Sequence, residues 1–233
     1  MTLSLVHVHP ETGSVATLTA TGGVAVGGYV HHCWRGKGAC VTQGRYTNPW
    51  YPVLIYDALS QGASATEALQ VAVSRDDHPE HRQCLVMDSH GQASAHNGYA
   101  NLPSVATSLY PSVATAGNML GSPEVVASLA ERFIQLSSLN SAAVLQDSAL
   151  PEFAPNHDPQ LLNHLLSALE AALVAGGDVR GTRSAALRIE SFSQPPIDLR
   201  VDWAEDVIEA LRKLETRFRA ADFKAFWQQL PLR

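Results

Sequence analysis

The 233-residue sequence predicts an α+β domain, with antiparallel sheets and helices packed outside them. The first sign is the order of its patterns. Alternating, strand-like runs and helix-spaced runs come in blocks: strands, two helices, strands, two helices, strands, helix. The second is the lack of any repeat at a period of about 20 to 50 residues, or of a low-complexity linker, so residues 1–233 read as one domain. The third is composition. Hydrophobic residues make up 45% and charged residues 16%, against roughly 25% charged in an average soluble chain. That is apolar enough for one substantial core, and it excludes disorder, coiled coil and collagen.

The elements follow in order. Thr2 to His9 is a strand ending in the turn Pro10-Glu-Thr-Gly13, and Ser14 to Thr21 alternates Val, Ala and Leu with Ser and Thr. Val24 to Cys33 reads as a third strand, Trp34 to Gly38 as a glycine turn, and Ala39 to Gln43 as a fourth strand. Leu54, Ala58 and Leu59 share a helix face. A second helix starts at Ser64, with Glu67 completing a capping box. Gln83 to Asp88 and Gln92 to Asn97 form a hairpin around Ser89-His-Gly91. Val105 to Ala116 is one β-like run, broken by Gly117-Asn118. Ser122-Pro-Glu124 opens a helix carrying Leu129, Phe133 and Leu136, and residues 137–158 read as a surface loop with some helix. Pro159 to Ala175 is amphipathic through Leu162, Leu165, Leu166, Leu169 and Leu173, and stops at Gly176-Gly177. Strands at Ser184–Phe192 and Ile197–Val201 precede a last helix that starts near Trp203, with Val207, Ile208, Leu211 and Leu214 on one face.

Net charge is −6 and no Lys or Arg cluster is present, which argues against a nucleic-acid partner. No apolar stretch is long enough to span a bilayer, and His7 and His9 interrupt the N-terminus where a signal peptide would need its apolar core. The three cysteines, Cys33, Cys40 and Cys84, share no CxxC spacing and are odd in number, which argues against a secreted disulfide framework. A cytoplasmic location is the expectation, with no membrane partner.

Motifs for familiar chemistry are missing. The glycines of Gly36-Lys-Gly38 and Gly176-Gly-Asp-Val-Arg-Gly181 fit neither the P-loop nor GxGxxG, and no GxSxG elbow occurs. Ten histidines include His7 and His9 on one strand face, the pair His31-His32, and Asp76-Asp-His-Pro-Glu-His81. No HExxH or CxxC makes them converge, so no metal and no cofactor are expected. One position differs. Thr2 directly follows Met1 and opens the first strand. Threonine is small enough for the initiator methionine to be removed, which would place a hydroxyl beside a free α-amine. That amine titrates near 7.7–8.0 and could serve as base to its own hydroxyl.

The whole pattern adds to this. Thr2-Leu-Ser-Leu-Val6 with His9-Pro-Glu-Thr-Gly13, Ala39-Cys-Val-Thr-Gln43, Thr47-Asn-Pro49, Arg82-Gln-Cys-Leu-Val-Met-Asp88 and Ala95-His-Asn-Gly98 occur in order. So do Ala116-Gly-Asn-Met-Leu120, Ala175-Gly-Gly-Asp-Val-Arg-Gly181, Ser184-Ala-Ala-Leu187 and Ile197-Asp-Leu-Arg-Val-Asp202. Across nearly the entire chain this resembles domain-of-unknown-function family 1028, which is assigned to the N-terminal nucleophile (Ntn) hydrolase fold. The resemblance implies a four-layer αββα sandwich of two antiparallel sheets between helical layers. It implies Thr2 as nucleophile, with its own amine carrying the proton. Asn118 would be an oxyanion or orienting donor, Gln43 and Asn48 would line the pocket, and Asp178 and Arg180 would orient the amine or a substrate carboxylate. The implied activity is cofactor-free hydrolysis of a C–N amide-type bond in a small molecule after Met1 removal. The alternative is a non-catalytic small-molecule-binding protein on the same fold. A homodimer is expected from the frequency of that assembly. Two departures stand out: Arg183 where the family usually has Gln, and Trp50-Tyr-Pro52 where it usually has a glycine. The two aromatics would wall a pocket or pack a dimer interface.

Overall fold

The computed structural model describes residues 2–101 and 103–232. Two antiparallel sheets and seven α-helices make a mixed α+β fold among these residues. The six-stranded sheet runs in the order β10 (Ile197–Val201), β9 (Ser184–Glu190), β2 (Val15–Thr21), β1 (Thr2–Val8), β8 (Val113–Asn118) and β7 (Ala106–Tyr110). The four-stranded sheet runs β3 (His31–Trp34), β4 (Gly38–Gly44), β5 (Arg82–Asp88) and β6 (Ala93–Asn97).

Strand alternation on β1 divides the interior. Leu3 and Leu5 pack with Leu18, Leu187 and the buried faces of α3 (Glu124–Ser137) and α5 (Leu161–Val174). Val6 and Val8 join Val15, Val41, Leu85 and Met87 in a second core between the sheets. A third core sets Cys40, Cys84 and Val86 against α1 (Tyr51–Ser60) and α2 (Ala65–Val73) through Tyr51, Ile55 and Leu69. The capping box at Ser64 forms as expected, its hydroxyl taking the Glu67 N–H while the Glu67 carboxylate takes the Ser64 N–H.

Several boundaries depart from the sequence reading. Only the end of Val24–Cys33 is strand. Ala25 has φ 55° and Val26–Gly28 forms one 3-10 turn, because Gly27 lies against β9 where a Cβ would fall 2.5 Å from that of Ala186. The run Val105–Ala116 is a hairpin, β7–β8, turned at Ser112 with φ 66°. The turn pairs with the neighbouring hairpin tip, since Ser112 N–H donates to Gly91 O at 2.7 Å. Gly117-Asn118 is no break, for both residues continue β8 beside β1. Residues 137–158 hold a one-turn helix, α4 (Ser141–Val144). The last amphipathic helix, α6 (Val207–Phe218), starts four residues after Trp203, where the Asp206 carboxylate caps Glu209 N–H at 2.9 Å, and α7 (Ala221–Trp227) follows it. No described helix is long and apolar enough to cross a membrane.

Candidate active site

β1 starts at Thr2 in the middle of the six-stranded sheet, so Thr2 stands opposite Thr21 in one ladder and Asn118 in the other. The same alternation that sends Leu3 and Leu5 to the helices turns Thr2 and Ser4 toward the second sheet. There they meet Gln43 and Gln83, register partners on β4 and β5. Ser4, Thr19, Gln43, Gln83 and Asn118 are all buried, so their polar groups must pair with one another.

The pairing fixes each amide in turn. Gln83 Nε2 donates to the Asn97 side-chain oxygen at 2.8 Å and to Gly117 O at 3.0 Å, a carbonyl that can only accept. Gln83 Oε1 therefore faces the cluster and accepts from Gln43 Nε2 at 2.7 Å and Asn118 Nδ2 at 3.0 Å. Asn118 is thereby turned to offer Oδ1 to Thr2 N, 3.2 Å away. Gln43 Nε2 also donates to Thr2 O at 3.2 Å, while its Oε1 accepts from the Ser4 hydroxyl at 2.7 Å. In this geometry Asn118 is an acceptor toward Thr2, and one N–H of its amide goes to Gln83.

On the other side Thr2 Oγ1 donates to Thr21 Oγ1 at 3.4 Å, and Arg180 Nη2 approaches that oxygen at 3.5 Å. Asp178 reaches the site through a bridge to Leu120 and through the glycines that end α5, where Gly121 N–H donates to Gly177 O. Its buried carboxylate accepts from Gly22 N–H at 2.5 Å and from Arg180 Nε and Nη2 at 3.1 and 3.0 Å. Burial pushes the Asp178 carboxyl up, but the Arg180 bonds and the Gly22 amide outweigh it and hold the group below its ordinary range. Gly22 has no room for a side chain: a Cβ would fall 2.7 Å from both Asp178 Oδ2 and Gly181 O. Thr2, Asn118, Gln43, Asp178 and Arg180 are thus brought together.

Asn48 is not. Thr42, the neighbour of Gln43 on β4, points to the opposite face and holds Asn48 O at 3.0 Å, so that loop lies on the helix side of the sheet. Asn48 Nδ2 donates to Asp76, which is ion-paired with Arg82, and Asn48 Oδ1 accepts Trp50 N–H before α1. Nor do Trp50 and Tyr51 share a wall: Trp50 is 73% exposed and Tyr51 packs in the third core. Arg183 pairs with Glu205 at the surface. Sequence reasoning passed over Gln83, Ser4, Thr21 and Gly22. Gln83 carried a signal, as a lone amide opening the apolar run Cys84-Leu-Val-Met87.

The three cysteines are free and buried, and burial pushes their thiols up, Cys33 to about 12. Among the described residues, no group of three or more His, Cys, Asp or Glu is placed to hold a metal ion.

The fold and this cluster describe a two-sheet α+β protein whose central strand opens on a threonine held in a buried polar network. The chain belongs to the DUF1028 family, a family of unknown function, whose model matches residues 2–211. It is similar to protein SPO2555 of Silicibacter pomeroyi, a DUF1028 protein of known crystal structure, at 28% identity and a TM-score of 0.83, covering 99% of this chain and 92% of that one. Anbu, the ancestral β-subunit from Yersinia bercovieri, aligns over 99% of this chain and 98% of that one with 12% identity and a TM-score of 0.37, too low to carry an argument. Comparison with curated proteins gives no significant match.

Proposed function

We propose that this protein is an N-terminal-threonine amidohydrolase of the Ntn type, acting on a C–N amide-type bond in a small molecule. The observation that carries the reading is the setting of Thr2. It is the first residue of the central strand, with its nitrogen 3.2 Å from Asn118 Oδ1 and its hydroxyl 3.4 Å from Thr21 Oγ1. The three cores, helix on sheet, sheet on sheet and sheet on helix, support a four-layer αββα arrangement.

In this reading Met1 is removed and the Thr2 α-amine is partly neutral near pH 7.7–8.0. The amine takes the Oγ1 proton as Oγ1 bonds to the amide carbon, and returns it to the leaving nitrogen when the C–N bond breaks. Water then attacks the ester, its proton passes through the same amine to Oγ1, and the acid product leaves. Asn118 Oδ1 accepts an amine N–H and so aims the lone pair, which assigns Asn118 an orienting role. Arg180, held by the buried Asp178 carboxylate with its own side chain about half exposed, would orient a substrate carboxylate. Gln43 fixes the carbonyl of Thr2 and with it the start of the strand. The reading takes the protein as a cytoplasmic homodimer that works without metal or cofactor.

The test is the intact mass of untagged protein, followed by a screen of small amides against wild type and Thr2→Ala. Loss of one methionine residue, with hydrolysis abolished in Thr2→Ala at unchanged Tm, is the expected result. Retention of Met1, or full activity in Thr2→Ala, would refute the nucleophile and favour a binding protein on the same fold.

A further inference from the structure

At the far end of β1, on the helix side of the six-stranded sheet, His7, Phe153, His157, Asp158, Leu161 and His164 line a cavity of about 250 Å³. Five or more residues of extended strand separate it from Thr2, roughly 20 Å, so it stands apart from the site described above. We propose that this cavity binds a small protonated amine with an aromatic or apolar body.

The polar groups present there are mostly acceptors. His7 Nδ1 lies 2.8 Å from Ser112 O, which can only accept, so this nitrogen carries the proton and Nε2 is left as an acceptor. The Nδ1 atom of His157 is buried without a hydrogen-bond partner. His164 Nδ1 lies 3.0 Å from Asp158 Oδ2, with its N–H toward the carboxylate. Asp158 Oδ1 accepts Gln160 N–H at 2.8 Å. His9, also on the wall, is already satisfied, with Nε2 2.8 Å from Ala154 O and Nδ1 accepting Thr12 N–H at 3.4 Å.

Charge selects the sign of the ligand. No Lys or Arg lines this cavity, and among the described residues the ion-pair partner of Asp158 is His164. Burial pushes the Asp158 carboxyl up, but contact with His164 and the Gln160 amide wins and keeps it ionised. Burial pushes His7 down to about 4 and lowers His157 as well, so neither supplies a compensating charge near neutrality. Arg219 and Lys224 line the adjoining cavity beyond Asp158, which therefore lacks the same bias. A protonated amine brings a cation that no Lys or Arg of this wall supplies, and N–H donors for the carboxylate, His7 Nε2 and His157 Nδ1. An anion would meet the Asp158 carboxylate with no Lys or Arg on the wall to offset it.

The remaining wall sets the body of the ligand. Leu136, Leu161 and Pro159 are apolar, and the Phe153 ring stands 4.7 Å from that of His7. Such a surface suits a single ring. The volume lies just under the usual range of about 300–1,000 Å³ for ligand pockets, enough for one ring and a short arm.

The experiment titrates the full chain at neutral pH with benzylamine, benzyl alcohol and benzoate, following the histidine imidazole signals by NMR. Benzylamine should bind at least about tenfold more tightly than the alcohol, shift the His157 and His164 signals, and leave benzoate without measurable binding. Asp158→Asn, which keeps an acceptor for Gln160 N–H, should bring benzylamine down to the affinity of the alcohol. Equal affinity for amine and alcohol, binding of benzoate, no binding of the amine at millimolar concentration, or an unchanged Asp158→Asn protein would each overturn the proposal.

Discussion

Lowering the pH from about 7.5 to about 4.5 should cost the fold about 5 kcal/mol through two buried histidines, and about half of that contribution should vanish in His31→Asn. His31 is buried on β3 between the two sheets, with Nδ1 2.9 Å from Thr17 Oγ1. Burial is the chief reason its pKa falls to about 3, and His32, Arg188 and Arg200 add repulsion in the same direction. His7 falls to about 4, where burial outweighs its bond to the Ser112 carbonyl. Both rings are neutral in the fold and titrate near 6.5 in the unfolded chain. Stability from each is therefore complete above 6.5 and declines as the unfolded chain takes up protons that the fold refuses. At pH about 4.5 each ring has lost about 2.5–3 kcal/mol, at 1.36 kcal/mol per unit below 6.5. Asp178 and Asp158 have depressed values, so their contributions are lost as pH falls from the usual carboxylate range toward those lower values. In His31→Asn, the Asn amide can occupy the place of Nδ1 beside Thr17 and cannot be protonated. Urea unfolding of both proteins at several pH values, compared by slope rather than by absolute stability, measures the effect. A His31→Asn protein whose stability falls with pH as steeply as wild type would refute the reasoning.

Gln83→Leu should destabilise by roughly 1–3 kcal/mol for each group it orphans, with Asn118 Nδ2 the first of these, and urea unfolding would report it. A neutral result would mean the amide relay does not hold Asn118. Gly22→Ala should lower Tm by several degrees, because the methyl would fall 2.7 Å from a backbone oxygen and a buried carboxylate; an unchanged Tm would contradict the packing around Asp178. Asp178→Asn should lose stability at neutral pH and show a flatter decline as pH falls through the carboxylate range, since the native pKa is depressed and its stabilisation is present only above it. Identical acid limbs would count against the Arg180 pair. Ser64→Ala should cost about 1 kcal/mol through loss of the cap on α2, read as a shift of the urea midpoint.

The parts of this protein legible in its sequence are those written in short-range physics. Alternation alone placed β1 and β2, and Ser64 with Glu67 marked α2 because a capping box needs only four adjacent residues. Family motifs spread over the chain pointed to DUF1028, and the family model bears that out. Where a local signal was ambiguous, the fold decided. The run Val105–Ala116 looks continuous to a period-two reading, but it turns at Pro111-Ser112 into a hairpin whose tip pairs with Gly91. The candidate site divides in the same way. Thr2 could be singled out from its position, because the chemistry of an N-terminal threonine is local to one residue. Which amides surround it could not, since Gln43, Gln83 and Asn118 are far apart in sequence and adjacent only through strand register. Asn48 follows Gln43 by five residues yet sits on the other face of its sheet, because the side chain of Thr42, just before Gln43, pins its loop there. Sequence alone determined which strands and helices could form and the family to which they belong. Tertiary structure decided which polar groups share an interior, because a buried donor takes its acceptor from whatever element packs against it.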